Sequence, residues 1–553
     1  MRVFNKSTAT TSTAVHTRIW FLLLSILIQS NCFSQGKYLV LLNDKANSPY
    51  SFNKPEQFLS QRSILRRQKQ NIPVRERDLP VNPAYITQLQ QAGAKIWFPS
   101  RWLNAVLVEA TDATLATIQK LPFVKGLDFS RSLSSRRISA EATLTTISKL
   151  AKVEQDSLAY GDSKFQVEQI GVDNMHRQGY HGEGMLIAVL DAGFRNANQV
   201  SFLKPLFSES RVLATYNFVR KETSVYEGDD HGLQALSAIA ATTDNQLYGT
   251  AYKASFVLLC TEIGNSESRL EEANWLFGAE YADSVGVDVI SSSLGYSTFD
   301  DASTSYTYQD MDGKTALSSR AAQIATETGM VVVVAAGNEG NKPWRYITAP
   351  SDAVSVLAIG AVTQTGQRAS FSSFGPSPDG RVKPDLVARG QGVVLGLASG
   401  LIGTGNGTSF ATPLVAGLAA GFWQAHPQLT AAQVTASLRQ SGSQYSTPND
   451  ELGYGIPNFE RASALAATYS QLLVYPNPFS ETEPLAVQWG EIAANTPIEA
   501  TLINLAGRVL WRNSATYSGL TTFVLPNLNL SAGLYFLTLV SGDKKRTVKV
   551  IKR

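Results

Sequence analysis

The chain has 553 residues, 44% of them hydrophobic and 17% charged, with a net charge of +3. Those values lie near the globular average and exclude a disordered or fibrous protein, and so small a net charge gives no basic excess to assign to nucleic acid. Two cysteines in the whole chain exclude a disulfide scaffold and a cysteine-based zinc cluster.

The charge is unevenly spread. Residues 1–34 carry +3, 35–140 carry +9, 141–471 carry −12 and 472–553 carry +3. A basic block beside an acidic one predicts two parts that attract each other. At the N-terminus, Arg2, Lys6 and Arg18 lead into the apolar run Ile19–Ile28. That run is too short for a stable bilayer anchor, so residues 1–34 read as a secretory signal peptide cut after Ser34, with a membrane anchor as the alternative. Cleavage there leaves Cys260 alone, in the strand-like SFVLLCT, as a buried apolar packer.

Residues 35–140 open with a strand-like KYLVLLND and continue through the basic, helix-compatible FLSQRSILRRQKQ. A strand-like NAVLVEA and a helical ATLATIQKL follow, which makes a small α+β unit. The Ser/Thr-rich stretch after it reads as exposed and cleavable, with a linker at 141–164. Residues 165–467 alternate short apolar runs (MLIAVL, FVLLC, VDVISSS, MVVVVAA, AVSVLAIGAV) with amphipathic stretches such as RLEEANWLFGAEYADSVG. The runs fit strands buried on both faces, so the expected fold class is α/β, doubly wound around a mostly parallel sheet. Residues 472–553 are strand-rich, with SGD as a turn, and predict a C-terminal β-sandwich.

Of five histidines, His231 stands out, because two acids precede it and it opens the small-residue helix pattern HGLQALSAIAA. His176 and His181 fall in a loop-like NMHRQGYHGEG, His426 at a helix end and His16 in the signal region. Asp191 ends a buried strand, and the C-terminal edge of a parallel sheet is where such folds place function; a turn-forming Asp is the alternative. Asn338 leaves another buried strand on the turn AAGNEG, where its amide either donates to a developing oxyanion or stabilises the turn. Ser409 opens a helix after TGNG, where unpaired N–H groups face an anionic centre; a plain N-cap is the alternative. Position 411 is Ala and no Gly-Lys-Ser/Thr follows, which excludes the α/β-hydrolase elbow and a phosphate loop. A serine hydroxyl needs a base, a histidine supplies it, and an aspartate fixes the imidazole tautomer.

On these residues, 165–467 resembles the subtilases, the subtilisin-like serine peptidases. GTSFATP at the serine, IAVLDAGF at the aspartate and AAGNEG at the asparagine match the family's motifs, and SSSLG at Ser291–Gly295 is similar to its substrate strand. The resemblance implies a triad of Asp191, His231 and Ser409. It also implies an oxyanion donor in Asn338 and backbone pairing of a peptide along Ser293, Leu294 and Gly295. The chemistry it implies requires no cofactor and no metal. Structural calcium is left open, since the acidic loops FDDAS and YQDMDGK lack full EF-hand spacing and read as solvated. The histidine motif departs from the family pattern at Leu233, Ala235, Leu236 and Ser237, positions expected behind the site.

Residues 35–140 loosely resemble a subtilase propeptide. That implies an intramolecular inhibitor whose C-terminal strand blocks the cleft, with Arg136-Arg137 as a candidate processing point; a separate binding domain is the alternative. VYPNPF, INLAGRVLW and GLYFLTLVSGDKKRTVKVIKR are similar to C-terminal sorting domains of type IX secretion substrates. They imply that secretion machinery as a partner and passage through the periplasm to the surface or exterior; a retained carbohydrate- or protein-binding sandwich is the alternative. The expected function is a secreted serine endopeptidase acting on proteins or peptides, with no nucleic-acid partner and no stable membrane span. An inactive binding module and an esterase or lipase are the competing readings, the first disfavoured by the intact triad and the second by the serine's context.

Overall fold

The structure, a computed structural model, describes residues 35–129, 133, 159–264, 266–469, 472–480, 483–489, 496–517, 523–526 and 529–553. The expected signal peptide and the Arg136-Arg137 processing point lie outside the described residues. So do residues 130–132 and 134–158. No helix among the described residues is long and apolar enough to cross a membrane.

The N-terminal unit is an antiparallel sheet in the order β2-β3-β1-β4, from β1 (Gly36–Leu42), β2 (Lys95–Ser100), β3 (Ala105–Ala110) and β4 (Val124–Leu127). Its helices are α1 (Gln61–Lys69), α2 (Pro83–Gln91) and α3 (Asp112–Ile118). Ser60, Asn82 and Thr111 cap them, each side-chain oxygen accepting a first-turn N–H. Strand side chains alternate in direction. Tyr38, Val40, Val106 and Val108 therefore face the unit's own helices, while Leu39 and Leu107 share a core with Trp275 and Leu276 of the next unit.

The central unit begins with α4 (Val172–Arg177), then β5 (Leu186–Asp191), β6 (Val212–Asn217), α5 (His231–Ala240) and β7 (Ser255–Cys260). It continues with α6 (Arg269–Val285), β8 (Val289–Ser292), α7 (Leu317–Glu327), β9 (Val331–Ala335), β10 (Leu357–Val362), β11 (Leu386–Arg389) and α8 (Thr408–Ala425). The seven strands lie in the order β11-β10-β9-β8-β5-β7-β6. Every ladder between them is parallel, where a mostly parallel sheet is expected from the sequence. Ile187, Val189, Phe256 and Leu258 point to one core with α5 and α8. Leu186, Ala188, Leu190 and Val257 point to the other with α6 and α7. That division across one sheet is the reason its strands read as unbroken apolar runs.

His176 is a correction: it lies on α4, not in a loop. Its Nδ1 meets the Tyr160 hydroxyl at 2.9 Å and its Nε2 meets the Thr250 carbonyl at 3.1 Å. Burial pushes its pKa down to about 3, so it is a neutral core residue.

The two units meet on α6. Fully buried Asp283 pairs with Arg67 at 2.7 Å, Arg101 at 2.6 Å and Arg66. Glu280 accepts the Ser100 hydroxyl and the N–H groups of Arg101 and Trp102 at 2.9 and 3.3 Å. Arg62 pairs with Asp288, and Arg77 with Glu327. The complementarity read from the charge split is thus carried by named pairs.

The C-terminal unit has two antiparallel sheets. One contains β12 (Leu472–Tyr475), β13 (Ala486–Trp489) and a two-residue strand at Phe523–Val524. The other contains Thr496–Asn504, Val509–Tyr517, Gly533–Ser541 and Lys544–Lys552. Val487 and Trp489 pack against Ile498, Leu502, Leu537 and Val550, so the apolar faces of both sheets form one core. The expected SGD turn closes a hairpin with Ser541 opposite Lys544.

Candidate active site

Asp191 is the last residue of β5, at the C-terminal edge of the sheet, and is fully buried. Its Oδ1 accepts the Ala192 N–H at 2.8 Å and faces His231 Nδ1 at 2.7 Å. His231 is the first residue of α5, and its own N–H donates to Asp229 Oδ1 at 2.8 Å. Two glycines permit this approach. A Cβ on Gly232 would lie 2.6 Å from Gly193 O and 2.8 Å from the Asp191 Cβ, and one on Gly193 would lie 2.7 Å from Asp229 O. The altered positions Leu233, Ala235, Leu236 and Ser237 are all buried on α5, and Ser237 Oγ accepts the Gly396 N–H at 2.8 Å.

The Nδ1 proton of His231 is held toward the carboxylate, which leaves the lone pair on Nε2. Burial works to lower the imidazole's pKa, but the Asp191 charge and hydrogen bond outweigh it, and the value is pushed up to about 8. The ring stands 5.3 Å from that of Phe410, the residue after Ser409.

Ser409 lies in the first turn of α8. Pro413 stands inside that helix and has no N–H, so the Ser409 carbonyl lacks its helical donor. The Ser293 hydroxyl replaces it, donating to Ser409 O at 2.7 Å. Asn338 Oδ1 accepts from Thr408 N at 2.9 Å and from Thr408 Oγ1 at 3.1 Å. With the acceptor end committed, the amide NH₂ is the free end. A Cβ on Gly407 would be 2.6 Å from Ser409 Oγ and 3.7 Å from Asn338 Nδ2, so hydroxyl and amide flank the same small space.

Ser293, Leu294 and Gly295 follow β8, and with Gly337, Asn338 and Thr408 they line a cavity of about 430 Å³. All seven residues singled out in the sequence thus gather at one edge of the sheet. Asp229 and the Ser293 bond to the Ser409 carbonyl escape sequence reading; Asp229 shows there only as one of two acids before His231. Cys260 is buried as expected, and its thiol donates to Ala192 O at 2.9 Å. Burial pushes it up to about 12, which keeps it protonated. In the acidic loop, Asp310 accepts from Thr307 N and Asp312 from Lys314 and Thr315 N, each at 2.7 Å, so both carboxylates build turns.

The Subtilase family profile matches residues 182–455. A peptidase S8 propeptide domain of Bacteroidota matches 37–145, and a secretion system C-terminal sorting domain matches 473–553. Subtilisin NAT of Bacillus subtilis subsp. natto is 32% identical over 320 residues, covering 57% of this chain and 75% of that protein. The subtilisin of Bacillus pumilus is 32% identical over 309 residues, covering 56% and 99%. A crystal structure of a cold adapted subtilisin-like serine proteinase is 25% identical, with a TM-score of 0.40, and covers 51% of this chain and 89% of that one.

Proposed function

Because the chain belongs to the subtilase family of serine endopeptidases, we propose that it hydrolyses peptide bonds of proteins through an acyl-enzyme on Ser409. Ser409 Oγ attacks the scissile carbonyl as His231 Nε2 takes its proton, and the same proton later goes to the leaving amine. Asp191 holds the imidazole in the required tautomer and stabilises its cation. The Asn338 amide and the Ser409 N–H receive the oxyanion, and Ser293, Leu294 and Gly295 align the peptide as an added strand. The observation that carries this reading is the 2.7 Å contact between buried Asp191 and His231.

The sorting domain makes this a secreted enzyme, delivered to the cell surface or the exterior. In the proposed division, residues 35–140 are an inhibitory propeptide, 165–467 the peptidase and 472–553 the part read by type IX secretion machinery. The ion pairs on α6 support a propeptide that stays docked.

A fluorophosphonate label followed by peptide mapping tests the assignment. Ser409 should carry the label, and Ser409→Ala should lose it and accumulate a precursor retaining 35–140. A label on another residue overturns the mechanism, and normal processing of Ser409→Ala assigns maturation to another protease.

A further inference from the structure

His231 is the first residue of α5, so its ring is only as well placed as the backbone that begins that helix. The two acids before it are engaged differently. Asp230 stands at the helix cap, but its side chain accepts no backbone N–H of the helix. Its Oδ2 pairs with Arg195 at 2.8 Å, and its Oδ1 accepts from the Gln234 amide at 3.3 Å. Asp229, one residue earlier, reaches over it to the His231 N–H at 2.8 Å. An ordinary cap bonds the second or third N–H of a helix. Here the bond falls on the histidine itself.

The main chain of Asp229 is held from the other side. Its carbonyl accepts the Arg195 N–H at 3.0 Å, and Arg195 follows Asp191 by four positions. The same two segments meet again where Phe194 N–H donates to Val225 O at 2.9 Å and Asn196 N–H to Tyr226 O at 3.2 Å. A Cβ on Gly264 would lie 2.5 Å from Asp229 Oδ2, so that glycine leaves the room the carboxylate fills. Asp229 therefore joins the segment leaving Asp191, through its backbone, to the residue that bears the imidazole, through its side chain. We infer that Asp229 is a positioning residue for the peptidase reaction, its Oδ1 holding the His231 main chain so that the imidazole stays between Asp191 and Ser409.

The inference rests on the peptidase reading and adds a residue to its machinery. The charged groups facing the imidazole are Asp191 from β5 and Asp229 and Asp230 from the loop before α5, the last matched by Arg195. Phe410, from α8, brings no charge. Bond and charge can be separated, because an asparagine Oδ1 still accepts the N–H and carries no charge.

Mature Asp229→Ala, Asp229→Asn and Asp230→Asn should be compared with wild type in peptide hydrolysis, with fluorophosphonate labelling of Ser409 counting intact sites. Asp229→Ala should lower kcat by about 10–10²-fold with KM little changed, as a misplaced general base does. Asp229→Asn should recover kcat to within about threefold of wild type. Its rise in kcat/KM should move to lower pH, because a negative charge that favours the imidazolium is gone. Asp230→Asn should leave the plateau kcat unchanged. Wild-type kcat in Asp229→Ala, equal loss in Asp229→Asn and Asp229→Ala, or a loss confined to KM overturns the role and leaves the peptidase reading standing. Should Asp229→Ala yield no mature protein, Asp229→Asn decides: near-normal kcat with the pH shift supports the role, and a loss of about tenfold or more overturns it. A wild-type protein that neither labels nor cleaves overturns both readings together.

Discussion

Asp283 and Asp191 are both fully buried in the same domain, one near the end of a helix and the other at the end of a strand. Asp283, on α6, meets three guanidinium groups from the N-terminal unit. Burial works to raise its pKa, but Arg101, Arg67 and Arg66 outweigh it and hold the carboxyl below the usual carboxylate range. Asp191 meets one imidazole and one backbone N–H, both through Oδ1, and its Oδ2 receives no hydrogen bond among the described residues. A desolvated charge surrounded by fixed cations is suited to holding a partner. A desolvated charge with one titratable partner keeps its field for a proton that comes and goes, which general base catalysis requires.

That contrast can be broken by substitution. Asp191→Asn should lower turnover by about 10⁴-fold without unfolding the protein. His231 must be neutral to accept the Ser409 proton, so wild-type kcat/KM should rise as pH climbs through about 8. Loss of the Asp191 charge should move that rise to lower pH, which a pH–rate profile of both proteins would record. Asp283→Ala should instead leave mature turnover unchanged and loosen the docked N-terminal unit by about 3–5 kcal/mol, measured by denaturation of the Ser409→Ala precursor. A turnover defect from Asp283→Ala comparable to that from Asp191→Asn would erase the distinction.

Asn338→Ala should cost about 10²–10³ in kcat with KM little changed, because the amide acts on charge that exists only in the transition state. Unchanged kcat would remove Asn338 from the mechanism. Ser293→Ala should cost about 1–3 kcal/mol of stability, because it leaves the Ser409 carbonyl without a donor. Adding Pro413→Ala restores a helical N–H, so the double variant should recover stability that the single one loses, and a thermal-melt cycle would measure the coupling.

The residues proposed as catalytic are legible because each sits where a strongly patterned element ends or begins: Asp191 at the end of β5, His231 and Ser409 at helix starts, Asn338 after β9. The two-faced sheet was legible for the same reason, since unbroken apolar runs have few alternatives. Less showed at the N-terminal unit. Lys95–Ser100 contains a proline, so β2 is not apparent from the sequence. Leu39 and Leu107 are apolar because of a neighbour that local pattern does not name. The charge split gave the sign of the interface but not Asp283 as its centre.

The hydroxyl that replaces the missing proline N–H has a mechanical consequence. Ser293 belongs to the segment proposed to align a peptide, and its bond to the Ser409 carbonyl fastens that segment to the first turn of α8. A shift of the docking edge therefore drags the attacking oxygen along with it. This stitch, with the two bonds from Thr408 to Asn338, holds the helix turn and the docking segment in register however far the ends of a long substrate wander.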